Sequence, residues 1–427
     1  MALSDSYLMA RQKIAVVGAG AAGLTAAYLL NKHHDVHVFE KNNYLGGHAN
    51  TVTLDHGPDK GMPIDTGFIV FNEQNYPVFC KLLETLKVPS VSSDMSFSFN
   101  CAESGMLYSS DVPFGLFGRL KNLFSIPFYR FVGDIMAFNR QACEDLANNE
   151  FIAGSLGDYL DRYRFGSLFR DSYVVPMGAA IWSASYADTL AMPVHAFLHF
   201  WRNHGLLQIR NRPSWRTVLG GSKNYVAAIK DTLGFSTVAA DVTGIQRRED
   251  GVLLRIKGQE TFHCDAVVIA THADEALALL DKPSDDEQRL LGAWSYSCNP
   301  TVFHTDQRVL PLKKRCWASW NYKRVSRDVT VPVSVSYYMN RLQSIQSSIP
   351  YIVTLNSPEK IEEKYIIKEL MYTHPCFSEQ ALATQAELPS LNGQNRTFFC
   401  GSYFKYGFHE DAAASGAAVA TCFGITL

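Results

Sequence analysis

The chain has 427 residues, of which 47% are hydrophobic and 19% charged, and its formal net charge is −2. This composition fits a water-soluble globular protein of about two or three domains, with a core large enough to hold without disulfide staples. The near-neutral balance excludes binding driven by bulk positive charge, so no nucleic-acid partner is expected. The cysteines never fall at CxxC spacing, which speaks against a disulfide framework or a zinc site and for a reducing, cytoplasmic compartment. Neither HExxH nor GxSxG occurs, and no metal centre is expected.

The first element is "KIAVVGAGAAGLTAAYLL", residues 13–30. It is apolar enough to pass for a signal peptide or a membrane span, but it is short for a span and glycines interrupt it. It reads better as strand, turn and helix. Ile14, Val16 and Val17 make a buried parallel strand, Gly18, Gly20 and Gly23 give GxGxxG, and Ala22 and Ala26 keep the following helix slim. The first glycine makes the tight turn, the second lets backbone approach a pyrophosphate, and the third lets the helix lie on the strand. The helix N-terminus then offers free amides to the phosphates. "DVHVFE" (35–40) is the second strand. It ends in Glu40, about 20 residues beyond the glycines, where a carboxylate accepts hydrogen bonds from a ribose diol. Lys41 follows it at the same candidate site.

Directly afterwards comes "YLGGHANT" (44–51). A nicotinamide enzyme has no need of a glycine pair here. FAD is longer and lies extended across its domain, so a second glycine turn beneath its pyrophosphate and ribityl chain has a purpose. The stretch resembles the RxGGRxxT motif at Gly46, Gly47 and Thr51, with His48 in place of one arginine and Asn43 or Tyr44 in place of the other. With both motifs in hand, the chain resembles the FAD-dependent amine oxidase and phytoene desaturase superfamily. More narrowly, it is similar to a group of bacterial amine-oxidase-like flavoproteins. The resemblance implies an α/β protein with a Rossmann-like FAD-binding domain of the two-dinucleotide-binding-domain type and an inserted α+β substrate domain. It also implies non-covalent FAD, because no cysteine stands where monoamine oxidases attach theirs.

Further stretches carry the resemblance along the chain. "PIDTGFIVFNEQNYP" (63–77) is similar to a segment that brings Gly67 and Phe68 to the flavin ring. "PFGLFGRLKNLFSIPFYRFVG" (113–133) interleaves aromatics with Arg119, Lys121 and Arg130 and contains no acid. It is either a helix in a membrane interface, placing the protein peripherally at the inner face of a membrane, or an amphipathic helix packed on the substrate domain. "VPMGAAIWSAS" (175–185) and "HFWRNHGLLQIR" (199–210) place Trp182 and Trp201 in a candidate substrate pocket. They also offer His204, and after it His199, as an acid or base. "GGSKNYVAAI" (220–229) and a strand over Val238–Ile245 resemble the part that meets the adenine end, near Val242. "TFFCGSYFKYGFHEDAAASGAAVA" (397–420) is strand, a turn at Gly401, then helix. By the resemblance, backbone amides of Glu410, Asp411 and Ala412 face the flavin's N1–C2=O edge or ribityl chain, and the two carboxylates either bind ribityl hydroxyls or cap the helix. Tyr403, Tyr406 and Phe408 form an aromatic wall or belong to the core.

The FAD domain is expected to be discontinuous, over 10–88, 214–280 and 392–427, with the substrate domain built from 89–213 and 281–391. There is no second GxGxxG and hence no dedicated NAD(P)H domain. The expected activity is that of an FAD-dependent oxidoreductase on a small hydrophobic substrate, fatty-acyl or isoprenoid-like, by hydride transfer to flavin N5 in desaturation or isomerisation. The alternatives are an amine oxidase that releases an imine with oxygen as acceptor, and a non-catalytic flavin-binding accessory of a lipid-modifying partner.

Overall fold

The computed structural model describes residues 11–427 apart from 102–104, 111–114, 116–119, 149–152, 183, 209–212, 235–236, 325–333 and 358. The first strand, Lys13–Val17, lies in the middle of a five-stranded parallel sheet ordered Thr237–Ala239, Asp35–Glu40, Lys13–Val17, Ala266–Ile269, Thr397–Phe399. Ile14 sits opposite Val36 on one side and Ala266 on the other. Such a strand is covered on both faces, which is why its apolar run is continuous rather than alternating. Helices Ala21–Leu30, Lys223–Leu233 and His409–Cys422 share the core on one face. The first and last of these cross so closely that a Cβ added at Gly416 would lie 2.2 Å from the Ala22 carbonyl oxygen. The other face carries an antiparallel ribbon (Val242–Arg247, Val252–Ile256, Phe262–Cys264) and helices Ala273–Leu279 and Asp285–Leu291.

The strand expected over Val238–Ile245 is in fact two. Thr237–Ala239 extends the parallel sheet, and Val242–Arg247 starts the ribbon. Between them the Ala240 amide donates to the Glu40 carbonyl, and the Asp241 carbonyl accepts from Lys257. Each pairing draws the chain to a different sheet, a break that local apolarity does not reveal.

The second half of the molecule is a seven-stranded mixed sheet ordered Ile366–Pro375, Tyr296–His304, Ile352–Leu355, Ser334–Tyr338, Trp320–Arg324, Phe97–Cys101, Leu107–Ser109. Helices Ile126–Ala147, Leu156–Arg162, Val175–Trp182 and Val194–Asn203 share its core, where Phe99, Phe131, Phe138, Phe169 and Trp201 are fully buried. Part of the aromatic and basic stretch 113–133, namely 113–114 and 116–119, lies outside the described residues. Among the described residues no helix is long and apolar enough to cross a membrane.

Candidate cofactor and substrate site

The glycine loop is shaped by sterics before any ligand is considered. Gly18 has φ +99°, and a Cβ there would lie 2.9 Å from the Ala270 carbonyl. At Gly23 a Cβ would lie 1.9 Å from the Gly18 carbonyl. Gly20 differs, because a Cβ there would meet nothing within 4 Å. The close packing that explains its neighbours does not explain Gly20. It borders open space at the start of helix Ala21–Leu30. That helix has no side-chain cap and no acid in its first turn. Its first internal bond is Leu24 N–H to Gly20 O at 2.9 Å, so the amides of Ala21, Ala22 and Gly23 find no acceptor among the described residues. An uncapped N-terminus beside open space is suited to an anion.

The second glycine pair touches the first loop. Gly46 and Gly47 have φ +113° and +58°. The Gly46 amide donates to the Ala19 carbonyl at 2.7 Å, and a Cβ on Gly47 would come within 3.2 Å of Gly20 Cα. The two turns therefore form one cradle. Glu40 closes it: Oε2 accepts from the Ala19 amide at 2.9 Å, and Oε1 accepts from the Asn42 amide at 2.9 Å and its Nδ2 at 2.7 Å. Lys41 pairs with Glu275 at 2.5 Å.

His48 stacks on Tyr372 at 5.0 Å and lies 5.2 Å from His374. Its Nε2 is buried with no hydrogen-bond partner among the described residues. Burial, and after it the neighbouring His374, His272 and His409, hold its basicity well below the ordinary histidine range. A neutral imidazole thus stands where the motif carries a guanidinium. It offers a hydrogen bond but no charge, so phosphate charge would fall to the helix amides.

Asp65, only 1% exposed, joins three of the sequence motifs. Its carboxylate accepts from Thr51 Oγ1 at 2.5 Å, from Ser222 N at 2.9 Å and Oγ at 2.8 Å, and from Gln343 Nε2 at 3.1 Å. Burial pushes its carboxyl up to about 6. Two residues on, a Cβ at Gly67 would lie 2.3 Å from the His48 carbonyl, and the Phe68 amide donates to that same oxygen at 2.6 Å. Phe68 stacks face to face on His409 at 3.7 Å, and the His409 Nε2 meets the Tyr225 hydroxyl at 2.8 Å. Sequence reasoning missed His409, although it opens the "HED" run already singled out. Val242, the expected adenine contact, is a buried residue at the start of the antiparallel ribbon.

The C-terminal helix corrects one expectation by a single residue. The Ala412 amide is spent on the Phe408 carbonyl at 3.0 Å, within the helical ladder. The amides without an acceptor among the described residues are those of His409, Glu410 and Asp411. Both carboxylates act as caps. Glu410 accepts from Val78 N at 3.0 Å and Phe79 N at 2.9 Å, capping helix Pro77–Thr85, while Asp411 accepts from Phe408 N at 2.9 Å and Tyr406 N at 3.2 Å. Burial raises their carboxyls to about 7 and about 6. Gly401 is fixed upstream, its amide donating to Ser415 Oγ at 2.9 Å.

Beside this helix end stands an aromatic wall. Phe408 stacks on Phe200 at 4.6 Å, Trp182 lies 4.6 Å from Phe200, and Tyr406 lies 6.1 Å from it. Phe200, absent from the sequence-derived set, is the centre of the group. Gly178 makes the arrangement possible: a Cβ there would lie 2.9 Å from Phe197, so helix Val175–Trp182 can lie close to helix Val194–Asn203. The expected pocket residue Trp201 and the wall-or-core residue Tyr403 both belong to the core. Trp201 is fully buried against Phe197 and Phe138, and Tyr403 is fully buried against Trp294. His204 joins the wall as an aromatic, stacked on Phe200 at 3.7 Å with Nδ1 bonded to the Phe200 carbonyl at 3.0 Å. Burial pushes its basicity down to about 4, so the ring is neutral near neutral pH. His199 instead pairs with Arg202 at 3.0 Å. Among the described residues no cluster of His, Cys, Asp or Glu is arranged to hold a metal ion.

The cradle at Gly20 and Gly47, two helix ends with free amides and the orphaned His48 nitrogen fit an extended dinucleotide. Fold and site together define a flavoprotein with a Rossmann-like dinucleotide-binding domain. Residues 21–355 match the family model of flavin containing amine oxidoreductases, and the chain belongs to that family. It is an FAD-dependent oxidoreductase. Over 90 residues it is 38% identical to 4,4'-diapophytoene desaturase (4,4'-diaponeurosporene-forming) of Staphylococcus aureus (strain Newman), a match spanning 19% of this chain and 18% of that protein. Among solved structures it resembles a CLA-producing fatty acid isomerase from P. acnes, with TM-score 0.67, 15% identity, and 97% of this chain and 98% of that one covered. It likewise resembles cyclohexylamine oxidase from Brevibacterium oxydans IH-35A, with TM-score 0.68, 15% identity, and 97% and 98% covered. At such identities the structural likeness is one of fold.

Proposed function

We propose that this protein removes a hydride from a hydrophobic substrate, fatty-acyl or isoprenoid-like, in a desaturation or a redox-neutral isomerisation. The observation that carries the reading is the wall of Phe200, Phe408, Trp182 and a neutral His204 beside the first turn of the C-terminal helix. Such a surface binds an apolar chain by excluding water from it. Bound FAD supplies the acceptor for the hydride, and the protein supplies position and electrostatics. The free amides of His409, Glu410 and Asp411 would stabilise negative charge at the adjoining edge of the ring system. The His204 imidazole, neutral and stacked, serves as part of the wall. In desaturation the substrate also releases a proton and the two electrons pass on to an acceptor. In isomerisation the hydride returns to the same substrate. The desaturase and fatty acid isomerase named above act on chains of this chemical kind, which supports the reading.

A second reading, an amine oxidase, is favoured by the same aromatic faces, which attract cations. The test is an anaerobic titration of the purified holoprotein with long-chain fatty acids, polyprenes and amines, following the flavin's visible absorbance and analysing products by mass spectrometry. Bleaching, or double-bond migration without bleaching, by the long-chain set alone supports the first reading. Bleaching by amines alone refutes it in favour of the second.

A further inference from the structure

Among the described residues nine large hydrophobic side chains are exposed, and five of them fall within 14 residues of one another: Leu123, Phe124, Ile126, Tyr129 and Met136. Phe124 is 89% exposed and Ile126 69%. They lie on the turn Leu120–Phe124 and the outer face of the start of helix Ile126–Ala147. The inner face of that helix is buried too, through Phe128, Phe131 and Phe138, so its first turns are apolar on both sides. A soluble surface helix is polar on its outer face. Further along, this one becomes so, with Arg140 and Glu144 exposed and 3.9 Å apart.

The exposed residues are held in place. The Tyr129 hydroxyl donates to the Leu123 carbonyl at 3.0 Å, Asn122 Nδ2 donates to the Leu107 carbonyl at 3.2 Å, and Ser125 Oγ caps the helix at Phe128 N at 3.3 Å. Phe124 to Met136 span about 18 Å at 1.5 Å per residue. In sequence, the charges between Asp111 and Asp134 are Arg119, Lys121 and Arg130, all positive, and Arg130 is exposed beside Tyr129. Apolar side chains beside the exposed Arg130, with an amphipathic tyrosine at the boundary and the half-buried Asp134 as the acid of this face, are complementary to an anionic lipid surface.

We infer that the turn Leu120–Phe124 and the adjoining outer face of helix Ile126–Ala147 dock on an anionic bilayer, with Phe124 and Ile126 inserted among the acyl chains and Arg130 among the headgroups. The inner face of the same helix packs into the core that holds the aromatic wall: Phe138 lies 5.7 Å from Trp201, and Trp201 lies 4.8 Å from Phe197. Docking is independent of the substrate reading, because it is measured without turnover.

The experiment is co-sedimentation of the full-length holoprotein with vesicles of phosphatidylcholine alone or mixed with phosphatidylglycerol. Wild type is expected to pellet with the mixed vesicles and less with the neutral ones. Phe124→Ser with Ile126→Ser should lower partitioning about tenfold or more. Arg130→Glu should lower it for the mixed vesicles only, with the difference vanishing at high salt. Leu312→Ser, at a fully exposed apolar residue outside this face, should change nothing. Retained flavin absorbance reports folding, and Phe124→Ser alone carries the same test if the double variant loses flavin. The inference is overturned if wild type stays in the supernatant with both vesicle types, or if Leu312→Ser matches the double variant. It is also overturned if the double variant dissociates an oligomer while vesicle binding is unchanged, which would make a second copy of the chain the occupant.

Discussion

Gly20→Ala separates stability from cofactor binding within one substitution. Gly20 has φ −77° and ψ −175°, which alanine adopts without strain, and its Cβ would meet nothing within 4 Å. Removing glycine's freedom from the unfolded chain should therefore stabilise the apoprotein by about 0.4–1 kcal/mol. In the holoprotein the same methyl would occupy the space proposed for the pyrophosphate at the helix end. Overfilling a close contact costs about 1–3 kcal/mol, which weakens FAD binding roughly fivefold to 150-fold. The assay pairs urea denaturation of apoprotein with FAD titration followed by quenching of flavin fluorescence. An affinity within twofold of wild type, with the apoprotein stabilised as expected, would refute the placement of the pyrophosphate at Gly20.

Gly23→Ala should do the opposite: its Cβ would lie 1.9 Å from the Gly18 carbonyl, so the apoprotein loses about 3 kcal/mol, visible as a lowered thermal midpoint before any FAD is added. Asp65→Asn makes a pH prediction. Burial raises the Asp65 carboxyl to about 6, so between its unfolded value and that point the folded chain holds the extra proton. Wild type therefore loses stability relative to the Asn variant as pH rises through that window. The gap should change by about 1.4 kcal/mol between pH 5 and pH 8, and a constant gap in denaturant titrations at the two pH values would contradict it. Phe408→Leu keeps bulk but removes the stack on Phe200. It should raise KM for a long-chain substrate about fivefold while leaving the flavin spectrum unaltered.

The glycine turns were legible in the sequence because all of them but Gly20 answer a local steric demand. Gly18, Gly23, Gly46 and Gly67 sit where a Cβ would strike backbone a short distance away, and such demands leave a mark at fixed spacing. The continuous apolar strands were legible for the same reason. The substrate wall was not. Phe200 and Trp201 are neighbours on helix Val194–Asn203, and one residue turns a helix by about 100°. Composition favoured the tryptophan, but the helix turns it into the core and the phenylalanine toward Phe408. Which phase a helix adopts depends on partners far along the chain. The pairing of Tyr225 with His409 across 184 positions, and of Gln343 with Asp65 across 278, was likewise beyond any local pattern.

The crossing of the first and last helices at Ala22 and Gly416 has a consequence for biosynthesis. Glu410 caps a helix that begins 333 positions earlier, at Pro77, so that helix leaves the ribosome without its cap. Until the tail emerges, the nascent amino-terminal half presents a cradle with one wall missing. Capture of the vitamin-derived group must then wait until helix His409–Cys422 has emerged and docked.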